Sequence, residues 1–250
     1  MRLIRQFRRV AGTASIAAEM AGRLALLRAA EDSPDLRSRA TVLHQMAKLL
    51  LQLHSIEVVE SGQLPAGVAL VVSNHVSYLD PLVILARFPA LPIAKEEVRR
   101  WPVIGPLCER SGVQFVARAQ STSGACVLRR MARTLRGGAS ILNFPEGTTT
   151  AGERVLPLKP ACFGAARIAR VPVVPVAIRW ESQDLGWTGD ASFLPHYLGV
   201  AARDRIRVRL SWGPVLAPSA WASDLELSQH AHQFLTRCLL ESPDAAAERA

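Results

Sequence analysis

The chain of 250 residues is 49% hydrophobic and 20% charged, a balance that excludes an intrinsically disordered protein and suits one α/β domain with a full core. Its formal net charge of +9 comes mostly from arginine and favours an anionic partner, either a nucleic acid or the surface of an acidic membrane. Aromatic residues make up only 6% and no helix-turn-helix, zinc-finger or RNA-binding signature occurs, so an anionic membrane surface is expected and a nucleic acid is not. The cysteines are scattered without a C-x-x-C pair, which predicts reduced thiols in a cytosol-facing protein.

The N-terminal region predicts a helix that lies on a membrane without crossing it. Residues 2–10 place apolar and basic side chains on opposite sides at helical spacing, Leu3, Ile4, Phe7 and Val10 against Arg2, Arg5, Arg8 and Arg9. Such a helix suits the lipid headgroup region, although the same pattern also describes a surface helix packed on the domain. No uninterrupted apolar run reaches about 18 residues, so no transmembrane helix is expected. Glu19 and Arg23 interrupt the only candidate core of a signal peptide.

Hydrophobic periodicity predicts helices and strands that alternate along most of the chain. The N-terminal helical pattern continues to residue 30, and further helices are predicted over 36–54, 81–88, 123–136, 161–170 and 220–240. Strands are predicted over 56–59, 68–73, 91–95, 112–117, 140–144, 172–178 and 205–212, and a loop over 185–200. His44 and His54 of the second helix are predicted to lie at the surface. This order predicts an α/β domain over 56–250 and membrane-associating N-terminal amphipathic helices over 1–55.

A histidine and an aspartate share the loop that follows the buried strand 68–73. An imidazole can take a proton from a hydroxyl, while a carboxylate on its other nitrogen fixes the tautomer. On a regular helix, however, residues five apart point about 140° away from each other, so His75 and Asp80 meet only if the chain turns between them. The Asp80-Pro81 pair favours such a turn before the next helix. Two alternatives stay open, namely that Asp80 only caps that helix and that His75 only bonds to backbone.

Further polar residues follow other predicted strands, and the carboxyl ends of strands are where function collects in open α/β sheets. Arg118 follows the strand 112–117, and Glu146 and Thr148 follow the strand 140–144. Glu146 can bind substrate hydroxyls or simply pair with an arginine such as Arg118. The sequence lacks a G-x-S-x-G elbow, a phosphate-binding P-loop, a G-x-G-x-x-G fingerprint and an H-E-x-x-H zinc motif. A lone base without a protein nucleophile favours direct transfer of a group to a substrate hydroxyl.

Four short segments in this order resemble the motifs of the glycerolipid acyltransferases, the 1-acyl-glycerol-3-phosphate acyltransferase family. The first is Asn74-His75-x4-Asp80, and the second is Gly112-Val113-Gln114-Phe115-Val116-Ala117-Arg118. The third is Phe144-Pro145-Glu146-Gly147-Thr148, and the fourth is Val171-Pro172-Val173-Val174-Pro175-Val176. Each motif alone is weak, but the four together in sequence are specific.

The resemblance implies a mixed, mostly parallel sheet flanked by helices, and a role for each matching residue. His75 would be the general base that deprotonates the acceptor hydroxyl, and Asp80 would orient it. Arg118 would hold the acceptor's phosphate, for which a guanidinium is well matched. The remaining candidates for substrate binding are Asn74, Glu146, Gly147, Thr148, Lys95 and Lys159, of which the two lysines can equally be solvated surface residues.

The acceptor implied by the resemblance is lysophosphatidate, and the donor is acyl-CoA or acyl carrier protein, with no metal or other cofactor. One departure concerns Thr149, because the family often has arginine after Glu-Gly-Thr. A missing phosphate contact makes a different lysolipid, such as a lyso-ornithine lipid or a lysophospholipid, an alternative acceptor. A non-catalytic lipid-binding protein is a further alternative. A membrane acceptor implies a peripheral or monotopic protein on the cytoplasmic face of the inner membrane.

Overall fold

The computed structural model describes residues 1–30, 35–101, 104–116, 121–188 and 192–241. In these ranges the α-helices are α1 Arg2–Ala30, α2 Leu36–Leu53, α3 Asp80–Arg87, α4 Ile104–Arg110, α5 Ser121–Arg136, α6 Ala161–Ala169, α7 Phe193–Ala202 and α8 Asp224–Leu240. The strands are β1 Ile56–Ser61, β2 Leu70–Ser73, β3 Leu91–Lys95, β4 Gln114–Val116, β5 Ile141–Asn143, β6 Val173–Trp180 and β7 Ile206–Trp212. Short 3₁₀ turns span Glu96–Arg100, Gln183–Leu185 and Pro218–Ala220.

The strands form one sheet in the order β1-β7-β6-β2-β5-β3-β4. All neighbouring pairs are parallel except β6 and β7, which confirms the predicted mixed, mostly parallel sheet. Strands β2 to β6 therefore end at the same edge, and the loops that follow β2 and β5 meet there. The position of the candidate site follows directly from this topology.

Helices cover both faces of the sheet, because alternate residues of its central strands point to opposite sides. Val71 of β2 belongs to the core shared with α1, α2 and α3, whereas Leu70 and Val72 belong to the core shared with α5, α6 and α8. Such burial on both faces is why β2 reads as a continuous apolar run. Helices α1 and α5 consequently lie on opposite sides of the sheet.

Helix α7 occupies residues for which the sequence predicted a loop, so that prediction was wrong. Its sequence contains Pro195 and Gly199, which weaken any pattern read from the chain alone. Pro195 is tolerated because it lies in the first turn, where backbone N–H groups have no partner within the helix. The C-terminal residues Val200, Ala201 and Ala202 are buried, so tertiary packing stabilises this helix.

Arg9 of α1 faces the protein, whereas the sequence predicted that it would lie on the basic side that meets the lipid headgroups. Arg9 is buried, and its guanidinium donates to the carbonyl oxygens of Leu53, Ala201 and Arg203 at the C-terminal ends of α2 and α7. These carbonyls lack partners within their own helices, so a cation is well placed there. The apolar side chains point outward instead, with Leu3, Ile4 and Phe7 exposed by 78%, 66% and 74%.

The exposed apolar side of α1 is consistent with association with a membrane. By length and composition, the helical segment Arg2–Leu27 is long and apolar enough to cross a bilayer. The sequence predicted no such helix, because it has no uninterrupted apolar run. Only 11% of the most apolar 18-residue stretch of this segment is buried inside the protein. The apolar side chains of Leu3, Ile4 and Phe7 do not pack on the domain, which was the alternative interpretation of this segment.

His54 was predicted to lie at the surface, and this prediction was wrong because the side chain is only 5% exposed. Its Nε2 lies 3.0 Å from the Thr13 hydroxyl, which accepts a hydrogen bond from Tyr197. Burial, together with the nearby Arg9 charge, lowers the pKa of His54 to about 4. The folded protein therefore holds a neutral imidazole where the unfolded chain holds one that protonates more easily.

This lowered pKa predicts a specific loss of stability in acid. The unfolded chain binds the proton between pH 6.5 and about 4 and the folded one does not, so the stability present above pH 6.5 is lost as pH falls towards 4. When the pH is lowered from about 7 to about 4.5, the unfolding free energy of His54→Gln should fall by about 2 kcal/mol less than that of the wild type. Urea unfolding at both pH values measures this. Equal losses in the two proteins would contradict it.

Candidate active site

The loop after β2 brings His75 and Asp80 into contact. The backbone N–H of Asp80 donates to the carbonyl of Ser77 at 3.0 Å, which turns the chain as the spacing required. Nδ1 of His75 then lies 2.8 Å from Oδ2 of Asp80. With the proton of the neutral imidazole on Nδ1, Nε2 keeps its lone pair and can accept a proton from a hydroxyl.

The carboxylate of Asp80 is fully buried and bonded on both oxygens. Oδ2 also accepts the backbone N–H groups of Val76 at 2.6 Å and Ser77 at 2.8 Å, and Oδ1 accepts the indole N–H of Trp180 at 2.7 Å. No side-chain bond caps α3, whose N-cap residue is Leu79, so the alternative of Asp80 as a helix cap does not hold. These donors fix the carboxylate in the position that orients the imidazole.

The imidazole of His75 is also held by residues from the loop after β5. Phe144 stacks on it with the ring centroids 4.1 Å apart and an interplanar angle of 22°. Glu146 accepts the backbone N–H of His75 through Oε1 and that of Leu156 through Oε2, both at 2.8 Å. Burial raises the pKa of the Glu146 carboxyl group, against the effect of its two N–H donors. Glu146 thus ties two loops of the site together through its oxygens.

Gly147 has a backbone conformation that disfavours any residue with a side chain. Its φ of +74° is left-handed, and a Cβ atom there would lie 2.7 Å from Nζ of Lys159. Gly147, Thr149, Lys159 and Lys95 all line one cavity with His75, so both candidate lysines lie at the site. Thr148 was expected to line the site, but it is half-buried and is not among the residues that line this cavity. Its neighbour Thr149 lines the cavity instead.

Asn74, a further candidate for substrate binding, does not line this cavity. Asn74 is buried, and its side-chain amide exchanges two 2.9 Å hydrogen bonds with the backbone N–H and carbonyl of Ile178. The amide extends the pairing of β2 with β6 and thereby holds the start of the loop that carries His75. Arg118, the predicted phosphate contact, lies outside the described residues.

The cavity beside His75 has a volume of about 550 Å³ and a largely apolar wall. Residues of α2, α3 and α5 contribute to that wall, among them Leu43, Met46, Leu50, Leu82, Leu85, Val127, Leu128 and Met131. A largely apolar cavity with a few polar groups in its wall suits a ligand with a hydrocarbon chain. In the described ranges, no three His, Cys, Asp or Glu side chains are grouped to hold a metal ion.

Several supporting residues were not predicted from the sequence. Tyr78 bonds to Nδ1 of His196 at 3.0 Å, and burial raises its pKa. The backbone N–H of Trp187 donates to the carbonyl of Val76 at 2.8 Å. Trp180 is the last residue of β6 and lies at the same sheet edge as the site. Its position at the end of a strand was the one signal in the sequence that pointed to Trp180.

Comparisons with known proteins identify a matching family and several similar sequences. A family model described as Acyltransferase matches residues 55–179, a range that contains every candidate site residue named above. A lyso-ornithine lipid O-acyltransferase of Brucella abortus is 32% identical over 214 residues, which cover 78% of this chain and 80% of the relative. A 1-acyl-sn-glycerol-3-phosphate acyltransferase of Neisseria gonorrhoeae is 36% identical over 136 residues, which cover 54% of this chain and 51% of the relative.

A solved structure shares the fold over nearly the whole chain. The crystal structure of the 1-acyl-sn-glycerophosphate acyltransferase of Thermotoga maritima matches with a TM-score of 0.66, covers 96% of each chain and is 24% identical. The likeness includes the helices that precede the sheet, because it extends well beyond residues 55–179.

Proposed function

The chain belongs to the acyltransferase family and is an O-acyltransferase, and we propose that it moves a fatty acyl group from an acyl thioester to the free hydroxyl of a lysolipid, with His75 as the general base. The observation that carries this proposal is the 2.8 Å contact between His75 and a fully buried Asp80 at the wall of an apolar cavity.

The proposed reaction is a direct transfer that needs no nucleophile from the protein. Nε2 of His75 accepts the proton of the lysolipid hydroxyl while the hydroxyl oxygen attacks the thioester carbonyl. The carbon–sulfur bond then breaks, an ester forms, and the imidazolium returns the proton to the leaving thiolate. Asp80 stabilises the imidazolium between these steps, as a buried carboxylate does for other catalytic histidines.

Two acceptors are proposed, and different observations favour them. A lyso-ornithine lipid is favoured by relatives with that activity that match 78% and 83% of this chain, and by Thr149 in place of a further arginine. Lysophosphatidate is favoured by the four motifs and by the 36% identical Neisseria relative over 136 residues. Lys95 and Lys159 at the cavity are cations that suit an anionic group on either acceptor.

A competition between acceptors tests the assignment. Purified protein is given one acyl thioester and equal amounts of lyso-ornithine lipid and lysophosphatidate in mixed vesicles, and the acylated products are separated by mass spectrometry. A preference of about 10-fold or more for the lyso-ornithine lipid corresponds to about 1.4 kcal/mol and would favour the first acceptor. The reverse preference would favour lysophosphatidate. Turnover of neither would refute both.

The acceptor is a membrane lipid, and we propose that α1 holds the protein on the cytoplasmic face of an anionic membrane as a peripheral or monotopic protein. The exposed Leu3, Ile4 and Phe7 would enter the headgroup region, and the exposed Arg2 and Arg8 would contact lipid phosphates. Arg9 would not, because it is buried against the ends of α2 and α7.

Charges placed on the apolar side of α1 test this orientation. Each Leu or Phe side chain contributes about 1.5–3 kcal/mol when it leaves water, so Leu3→Glu with Phe7→Glu should weaken binding to anionic vesicles by about 100-fold or more. The matched control is Leu225→Glu with Leu240→Glu on α8, where both leucines are also exposed. Vesicle sedimentation measures both. Equal weakening in the two variants would contradict the proposed orientation.

A further inference from the structure

Helix α5 carries an exposed face of arginines that the proposed reaction does not use. Arg129, Arg130, Arg133 and Arg136 are all exposed, and at 100° per residue they cover an arc of about 120°. They extend over about 10 Å of helix at 1.5 Å per residue. We call these four residues of α5 the arginine face.

The arginine face has little compensating negative charge. No carboxylate in the described part of the chain forms an ion pair with Arg129, Arg130, Arg133 or Arg136. The hydrogen bonds of Arg129 and Arg136 go to the carbonyls of Ala125 and Ile168, which leaves their charge in place. The face therefore presents a concentrated positive potential to solvent.

The opposite side of the same helix forms part of the active site. Val127, Leu128 and Met131 lie about 160° to 260° around the helix from Arg129, and all three line the cavity that contains His75. None of these four arginines lines that cavity. Whatever binds the arginine face is therefore held about one helix diameter from the acyl-binding space, or about 10 Å.

The arginine face does not lie on the membrane surface proposed for α1. Met20 and Leu24 of α1 pack in the core on one side of the sheet, and Met131 and Leu135 of α5 pack in the core on the other. A bilayer that receives the exposed apolar side of α1 is thus separated from the arginine face by the sheet. The arginine face remains free for a partner in solution.

We propose that the arginine face docks an acidic carrier protein that presents the acyl group as a thioester. The inference rests on the proposed function and names the partner that delivers its donor. A convex, exposed helix face outside the cavity matches an acidic protein surface by charge, whereas a small-molecule donor is usually held in a concave site. The thioester arm of the carrier would then reach around α5 to His75.

A comparison of two donors tests the docking. KM is measured by thiol release with palmitoyl-acyl carrier protein and with palmitoyl-CoA, at one lysolipid concentration. In Arg129→Gln/Arg130→Gln/Arg133→Gln, KM for the carrier protein should rise by about 10-fold or more, and KM for palmitoyl-CoA should change less than about 2-fold. Higher salt should raise the wild-type KM for the carrier protein only.

The matched control removes the same charge at a distant site. Arg205→Gln/Arg207→Gln/Arg209→Gln changes three arginines in or beside β7, which lies towards the other edge of the sheet from β4 and α5. It should leave both KM values unchanged. An equal rise for both donors in the α5 variant, or no rise for either, would overturn the docking, as would loss of vesicle binding in that variant.

The docking and the proposed function fail in different ways. If the wild type releases thiol from neither donor, the function is wrong, and binding of fluorescently labelled carrier protein still tests the face by anisotropy. Binding by the wild type and the β7 control but not by the α5 variant would support the docking. Equal binding by all three proteins, or by none of them, would overturn it.

Discussion

Replacing His75 by alanine is expected to lower kcat by about 10³-fold or more, because the substrate hydroxyl would then lose the general base that we propose for it. KM for the thioester should change less than about 3-fold, since the apolar cavity that we propose for the acyl chain stays intact. The unfolding free energy should fall by about 1–3 kcal/mol, because the protein loses a hydrogen bond to the buried Asp80 carboxylate and the stacking on Phe144. Thiol release and urea unfolding on the same preparation measure the three quantities.

A second histidine provides the control for this variant. His44 of α2 is half-buried, bonds through Nδ1 to the carbonyl of Leu85 at 2.7 Å, and does not line the cavity. His44→Ala should retain kcat within about 3-fold. If His75→Ala kept a wild-type rate, the base would have to be another group and the proposed mechanism would be wrong.

Asp80→Asn is expected to damage both the fold and the reaction. An amide offers only one oxygen, so its NH₂ group must face either the indole N–H of Trp180 or the backbone N–H groups of Val76 and Ser77. A buried donor without an acceptor costs about 1–3 kcal/mol, and loss of the charged acceptor adds to this, so a loss of about 2–4 kcal/mol of unfolding free energy is expected. The imidazole also loses the carboxylate that fixes its tautomer, and kcat should fall by about 10²–10⁴-fold.

Asp35→Asn separates the effect of the site from that of losing a carboxylate. Asp35 caps α2 through the backbone N–H groups of Arg37 and Ser38, and asparagine caps a helix about equally well. This control should change the unfolding free energy by less than about 0.5 kcal/mol and leave kcat unchanged. An Asp80→Asn protein that is as stable and as active as the control would show that the four bonds to Asp80 have no such role.

The strands around the site could be predicted because their sequences agree with their surroundings. Strands β2, β5 and β6 are buried on both faces and read as short apolar runs, and a parallel arrangement brings the residues after them to one edge. The turn between His75 and Asp80 followed from the spacing together with Pro81. Local sequence was enough wherever the signal and the contact lay within a few residues of each other.

The features that were missed depend on contacts between distant parts of the chain. Helix α7 forms against α1 in spite of Pro195, and the burial of Arg9 and His54 results from the way α1, α2 and α7 meet. The apolar residues of α2 read as core packing, and only the fold shows that Leu43 and Met46 also line the cavity. Similarly, both oxygens of Glu146 accept backbone N–H groups from loops that no local pattern relates to it.

The balance between thiol released and lipid acylated tests the proposed reaction most directly. Purified protein is mixed with lysolipid vesicles and a labelled acyl thioester, and free thiol, acylated lipid and the intact mass of the protein are measured over time. We predict equal amounts of thiol and acylated lipid from the wild type, almost none of either from His75→Ala, and no added acyl mass on the protein. Thiol release without acylated lipid, or an acyl group accumulating on the protein, would contradict direct transfer by His75.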